Sequence, residues 1–133
     1  MASFHLQIVT PDGGFYDGEA EKLIVRAIDG DVCILARHIP YVTALGMGEA
    51  RVTIGGQVRR AAANGGMLAV TGGRVRLVAT TFEWAEEIDR ERAQRSKEAA
   101  EAQLKTLTDA HEIQLAKAKL SRALNRIKVS QQL

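Results

Sequence analysis

TGGRVRLVATTFEWAEEIDRERA, Thr71–Ala93, contains the last two glycines of the chain, its last alternating apolar run and its first run of strong helix formers. All twelve glycines and both prolines lie at or before Gly73, and none follows in the remaining residues to Leu133. Glycine and proline punctuate turns and are kept out of helix interiors. The chain therefore divides into a turn-rich part and a part made of uninterrupted elements.

Upstream of this seam, Phe4–Val9 alternates apolar and polar residues with the period of a half-buried strand. Pro11-Asp12-Gly13-Gly14 reads as a turn, Lys22–Ala27 as a second strand, and Val32–Leu35 as a short apolar run. Ala50–Ile54 alternates again and ends at Gly55-Gly56, across which Gln57–Ala63 pairs back. Asn64-Gly65-Gly66 and Thr71-Gly72-Gly73 read as hairpin turns flanking Met67–Val70, and Val75–Thr81 follows. Short strands at near-regular spacing, with no helical pattern between them, predict an all-β sandwich or barrel rather than a parallel sheet. None of the glycine pairs stands in a phosphate-cradling motif.

Downstream, Glu86, Glu87, Asp89 and Glu91 crowd the start of a predicted helix, where the helix dipole favours negative charge. A break is predicted near Thr106-Leu107-Thr108, with Asp109 capping a second helix and Glu112 completing a capping-box pattern. The second helix carries Ile113, Ala116, Leu120, Ala123, Leu124 and Ile127 along one stripe. The first is apolar mainly through Ala93, Ala99, Ala100 and Ala102. Helices of this length are marginal alone, and alanine buries little area. The prediction is a β-sandwich domain, residues 1–84, followed by an antiparallel two-helix hairpin, residues 85–133, that is poised rather than locked.

Composition excludes several functions. At 133 residues with a net charge of +2, the chain is not basic enough to imply nucleic acid, and aromatics for base stacking are few at 5%. A basic helical nucleic-acid module is the weakest binding alternative. Cys33 is the only cysteine, so no internal disulfide or cysteine metal cluster forms; its apolar neighbours predict a buried thiol. There is no signal-peptide pattern and no apolar run long enough to span a bilayer. His5, His38 and His111 are scattered, without nucleophile–base order or metal-ligand spacing, so no catalytic or metal residues are predicted. Trp84 at the seam reads first as a packing residue and second as a stacking surface for a base.

An antiparallel pairing about Leu107 predicts facing residues whose numbers sum to about 214. Asp89 then faces Asn125–Arg126, and Arg92 faces Arg122. Asp89 and Arg92 share a face at i,i+3, as do Arg122 and Arg126 at i,i+4. Three guanidiniums against one carboxylate make a positive site suited to a polyphosphate. The plainer reading is a solvated charged face whose ion pairs contribute under ~1 kcal/mol each.

Gly30-Asp31-Val32-Cys33-Ile34-Leu35-Ala36-Arg37-His38-Ile39-Pro40, Asn64-Gly65-Gly66 and Ile88-Asp89-Arg90-Glu91-Arg92-Ala93, in this order, resemble the epsilon subunit of bacterial proton-translocating ATP synthases. The resemblance covers the whole chain. It implies a non-catalytic sandwich that binds the central-stalk gamma subunit and the membrane ring of c subunits, and that couples proton flow to ATP synthesis. It implies helices that fold as a hairpin or extend along gamma towards the catalytic beta subunit, where they inhibit ATP hydrolysis. It places the chain peripherally at the cytoplasmic face of the cell membrane, without direct insertion. ATP is implied as a regulatory ligand of the folded hairpin, with magnesium a cation that could accompany it. Carried over to this chain, the nucleotide-binding residues are Glu83, Ile88, Asp89, Arg92, Ala93, Arg122 and Arg126. One departure stands out: Ala99 occupies the place of a further arginine, and one lost charged hydrogen bond of about 1.5–3 kcal/mol weakens binding roughly ten- to a hundredfold. The alternative is the same subunit with a vestigial site and purely mechanical inhibition.

Overall fold

The computed structural model describes residues 2–131. Residue 1 and residues 132–133, the outermost positions of the two expected domains, lie outside the described residues. Two compact units divide the chain between Trp84 and Ala85.

The first unit is a β-sandwich of eight strands: β1 Phe4–Thr10, β2 Gly13–Ala20, β3 Lys22–Ala27, β4 Gly30–Leu35, β5 Tyr41–Ala44, β6 Met47–Ile54, β7 Gln57–Thr71 and β8 Arg74–Trp84. Hydrogen bonding runs in the order β2-β1-β8-β7-β6-β3-β4, with β5 also on β7. Every pair is antiparallel except β1 with β8. Phe4, Leu6 and Ile8 of β1 point into the core with Leu23, Val25, Ile34, Val52, Leu68, Val70, Val75 and Leu77. This aliphatic filling is what a chain poor in aromatics must use.

Two glycine pairs form the expected tight hairpins. Gly55-Gly56 joins Ile54 to Gln57 and Gly72-Gly73 joins Thr71 to Arg74; all four glycines have positive φ, as two-residue hairpin turns demand. The Asn64-Gly65-Gly66 reading is corrected: this triplet lies inside β7, which runs unbroken for 15 residues. Opposite it, β5 and β6 pair with β7 in one continuous register, interrupted only at Leu45-Gly46. At that level the inward face changes parity, from Ala61 and Ala63 to Leu68 and Val70 on β7, and from Val75, Leu77 and Ala79 to Phe82 and Trp84 on β8. The long strands thus pass from one layer of the sandwich to the other at a glycine kink. A Cβ on Gly66 would stand 1.7 Å from the Val78 carbonyl oxygen, and φ there is +110°, so only glycine fits.

β2 and β5 were not predicted. The first is glycine-rich, and the second follows Pro40 directly, so neither shows a clean alternating run. Cys33 is exposed rather than buried. It alternates with fully buried Ile34 on β4, and strand pleating turns its side chain to the other face.

The second unit begins with a short 3-10 turn, Ala85–Glu87, and contains α1, Arg90–Thr106, and α2, Ala110–Gln131. Asp109 caps α2: its Oδ2 accepts the Glu112 N–H at 3.1 Å. Leu124, expected on the buried stripe, is 44% exposed. At seam spacing the buried or half-buried positions are Ala93, Lys97, Ala100, Leu104 and Leu107 on α1 and Ile113, Ala116, Leu120, Ala123, Ile127 and Ser130 on α2; off that spacing, α2 also has Val129 fully buried and Ala118, Arg122, Asn125 and Arg126 half-buried. Steps of three and four along both helices are those of a narrow coiled-coil seam.

Candidate functional site

The open end of the helical unit is built on the hexapeptide Ile88–Ala93. Asp89 is the N-cap of α1, with extended backbone, and its Oδ1 accepts the Arg92 N–H at 3.0 Å. Ile88 and Ala93, both buried, occupy the two positions of a hydrophobic staple around that cap. The Asp-x-x-Arg spacing therefore has a folding role of its own: the carboxylate satisfies one of the amide donors that a helix start leaves unpaired. Capping uses the backbone of Arg92 and leaves its exposed guanidinium for another purpose.

The helix register differs from the expectation. Arg90 donates from Nε to Ser130 Oγ at 3.1 Å and from Nη2 to the Ser130 carbonyl at 3.2 Å, so facing residues sum to about 220. Carried along the pair, this register puts a small residue opposite a large one in layer after layer: Ala93 with Ile127, Lys97 with Ala123, Ala100 with Leu120, and Leu104 with Ala116. The expected pairing would set Arg90 beside about residue 124, whereas its two hydrogen bonds set it beside residue 130; the turn itself takes Leu107, Thr108 and Asp109.

Asp89 is consequently level with residue 131, not with Asn125–Arg126. Arg92 is level with residue 128, and Arg122 lies about 9 Å further along the axis at 1.5 Å per residue. Helical geometry still places Arg92, Arg122 and Arg126 on one flank of the seam, staggered rather than converging at a point. Arg122 and Arg126 are half-buried. Ala99 is on the same flank, exposed, and level with residue 121 beside Arg122. Glu83 belongs to the first unit, half-buried on β8 with Ala62 as its cross-strand neighbour. The other six expected residues belong to the second unit.

The opposite flank carries a groove of about 280 Å³ lined by Arg90, Glu91, Gln94, Ile127 and Gln131. Arg90 and Ser130 were not picked out from the sequence. Trp84, in the first unit, is buried against Phe15, Tyr16 and Phe82, and the Arg59 guanidinium sits 3.9 Å from its ring centre. Among the described residues no cluster of three or more His, Cys, Asp or Glu could hold a metal ion, and no helix is long and apolar enough to cross a membrane. Arg92, Arg122 and Arg126 are of a residue type that recognises anions, and they stand staggered along one helix flank.

Comparison with known proteins assigns the two units separately. Residues 3–85 match the family model for the β-sandwich domain of the ATP synthase delta/epsilon chain, and residues 86–131 match the model for its long α-helix domain. The chain is 42% identical over 130 residues to the ATP synthase epsilon chain of Bacillus velezensis, covering 98% of each. It is 41% identical over 129 residues to that of Caldicellulosiruptor saccharolyticus, covering 97% of this chain and 94% of the relative. Among solved structures, a chain of the Euglena gracilis mitochondrial ATP synthase, in a complex of OSCP, F1 and c-ring, superposes with a TM-score of 0.71 over 98% of this chain and 79% of that one. Their identity is 21%, so that likeness concerns the fold.

Proposed function

The chain belongs to the ATP synthase delta/epsilon chain family, and from that premise we propose that it is a central-stalk subunit that couples proton flow to ATP synthesis and restrains ATP hydrolysis through its two helices. Its sandwich binds the gamma subunit and the ring of c subunits, at the cytoplasmic face of the bacterial membrane. Its helices, when extended, reach the catalytic beta subunit. The subunit itself catalyses nothing. The single observation that carries this reading is full-length identity of about 40% to epsilon chains through both units.

The regulatory part rests on the helical unit. It is compact on its own, yet four of the eleven seam residues are alanine and one is a lysine. Such a seam buries little apolar area, so the folded hairpin is a state that a ligand can stabilise. That ligand is ATP, bound along the flank of Arg92, Arg126 and Arg122, with Asp89, Ile88 and Ala93 completing the site within the helical unit. A ligand that binds only the folded hairpin stabilises it by RT ln(1+[ATP]/Kd), about 2.7 kcal/mol at a hundredfold excess over Kd.

The test of inhibition is ATP hydrolysis by the assembled complex with and without the residues that follow Ile88. Truncation is expected to raise hydrolysis; unchanged hydrolysis shows that the helices are not the brake. The test of the sensor is calorimetric titration of the full chain with ATP and with ADP. Absent or equal binding of the two at millimolar ligand overturns it.

A second reading, inhibition without nucleotide dependence, is favoured by Ala99 and by the ~9 Å stagger between Arg92 and Arg122. Under it, Arg122→Ala and Arg126→Ala change inhibition through helix contacts, and ATP has no effect on either variant.

A further inference from the structure

We propose that Arg90 and Ser130 form a polar clasp that holds the open end of the hairpin shut, and that the helices part from this end when the clasp is released. Arg90 is the first residue of α1 and Ser130 the penultimate residue of α2. Ser130 is the one buried polar residue among the described residues, 2% exposed. Its Oγ donates to the Ile127 carbonyl at 2.9 Å and accepts from Arg90 Nε, while its carbonyl accepts from Arg90 Nη2. That carbonyl belongs to the last turn of α2, where no further amide of the helix can reach it.

Charge placement explains why the arginine is where it is. A cation at the first position of a helix opposes that helix's own dipole, so Arg90 is unfavourable for α1 taken alone. The same cation lies at the C-terminus of α2, where the dipole attracts it. Arg90 is thus favourable only while the helices are paired. The layer also continues the seam, since Arg90 and Ser130 stand one step beyond Ala93 and Ile127 in the same small-against-large register. Alanine layers hold the rest of the seam weakly, so two hydrogen bonds from a charged donor, each stronger than a neutral bond, weigh heavily at this end. Parting the helices here leaves Arg90 against the wrong dipole and Ser130 without its donor.

Amide hydrogen exchange on the full chain, free of nucleotide, tests the clasp in wild type, Arg90→Ala, Arg90→Lys and Ser130→Ala. In Arg90→Ala the amides of residues 125–131 are expected to exchange at least about tenfold faster. Arg90→Lys keeps the charge but loses the fork and is expected to fall between it and wild type. Ser130→Ala removes the Nε contact and is expected to fall there too. Amides near the 107–109 turn and in β7 and β8 are expected to keep their rates within about twofold. Rates at residues 125–131 within twofold of wild type in all three variants overturn the clasp. Acceleration spread evenly along both helices, or reaching β7 and β8, also overturns it, because the residues then support general stability and set no opening end. The inference rests on the reading that the hairpin opens, but not on nucleotide binding, so a failed exchange test leaves the calorimetric test standing.

Discussion

The Asp89 carboxylate accepts the backbone N–H of Arg92 at 3.0 Å, so the residue expected to meet nucleotide also starts the helix that carries the arginine. The two roles separate by substitution. Asp89→Ala removes cap and charge together and is expected to cost about 1 kcal/mol of helical stability. Asp89→Asn keeps a capping oxygen and loses only the charge. Circular dichroism melts of the helical signal should show Asn close to wild type and Ala below it. If ATP affinity falls equally in both variants while only Ala loses stability, the carboxylate charge itself meets the ligand.

Arg126 lies between the levels of Arg92 and Arg122 on one flank of the seam. Arg126→Ala is expected to weaken ATP binding about ten- to a hundredfold, the value of one charged hydrogen bond of roughly 1.5–3 kcal/mol. Ala99→Arg, beside Arg122 on the same flank, is expected to tighten binding by about tenfold. Calorimetric Kd values for the two variants check both directions. A Kd unmoved by either substitution places the phosphates elsewhere.

Gly66 tolerates no side chain. Gly66→Ala drives a Cβ to 1.7 Å from the Val78 carbonyl oxygen at a φ of +110°. Backbone strain and a displaced β7–β8 ladder together are expected to cost about 3 kcal/mol or more. The loss should appear as a lower urea midpoint for the sandwich. Gly55→Ala, in an open turn with no atom near the added Cβ but φ of +57°, is expected to cost about 1 kcal/mol.

Glu49 on β6 supplies the pH dependence. Burial works to raise its pKa, but hydrogen bonds from Arg60 and Arg51, with their charges, together hold it below the ordinary carboxylate value. Arg51 and Arg60 are direct cross-strand neighbours, and Oε1 of Glu49 accepts from the Nε of each, relieving their repulsion. A carboxyl whose pKa is depressed on folding contributes stability that is fully present above the unfolded value, about 4.3, and lost as pH falls through the folded value. Glu49→Gln is expected to lower stability at pH 7 by about 1–3 kcal/mol and to flatten the stability profile below pH 4.5 or so. Urea midpoints measured between about pH 3 and pH 7 give both quantities.

Local pattern was enough for the order of the fold. The last glycines at Gly72-Gly73, followed by alternation to Thr81 and then by helix formers, mark the change from strands to helices, because turn chemistry and helix propensity are properties of neighbouring residues. The cap at Asp89 is equally local, since its carboxylate meets an amide only three residues on. What the chain does at a distance was not legible. Asn64-Gly65-Gly66 carries the same signal whether it turns a hairpin or kinks one long strand; only the pairing of β7 with β5, β6 and β8 distinguishes the two. The side that Cys33 faces followed from Ile34 being drawn into the core. The helix register, and with it the stagger of Arg92, Arg126 and Arg122, shows only in a contact between residues 40 positions apart, Arg90 and Ser130. Sequence by itself determined which elements form and which residue types are available. Tertiary structure alone decided which of them meet, because contacts between segments far apart in the chain depend on packing that no single stretch encodes.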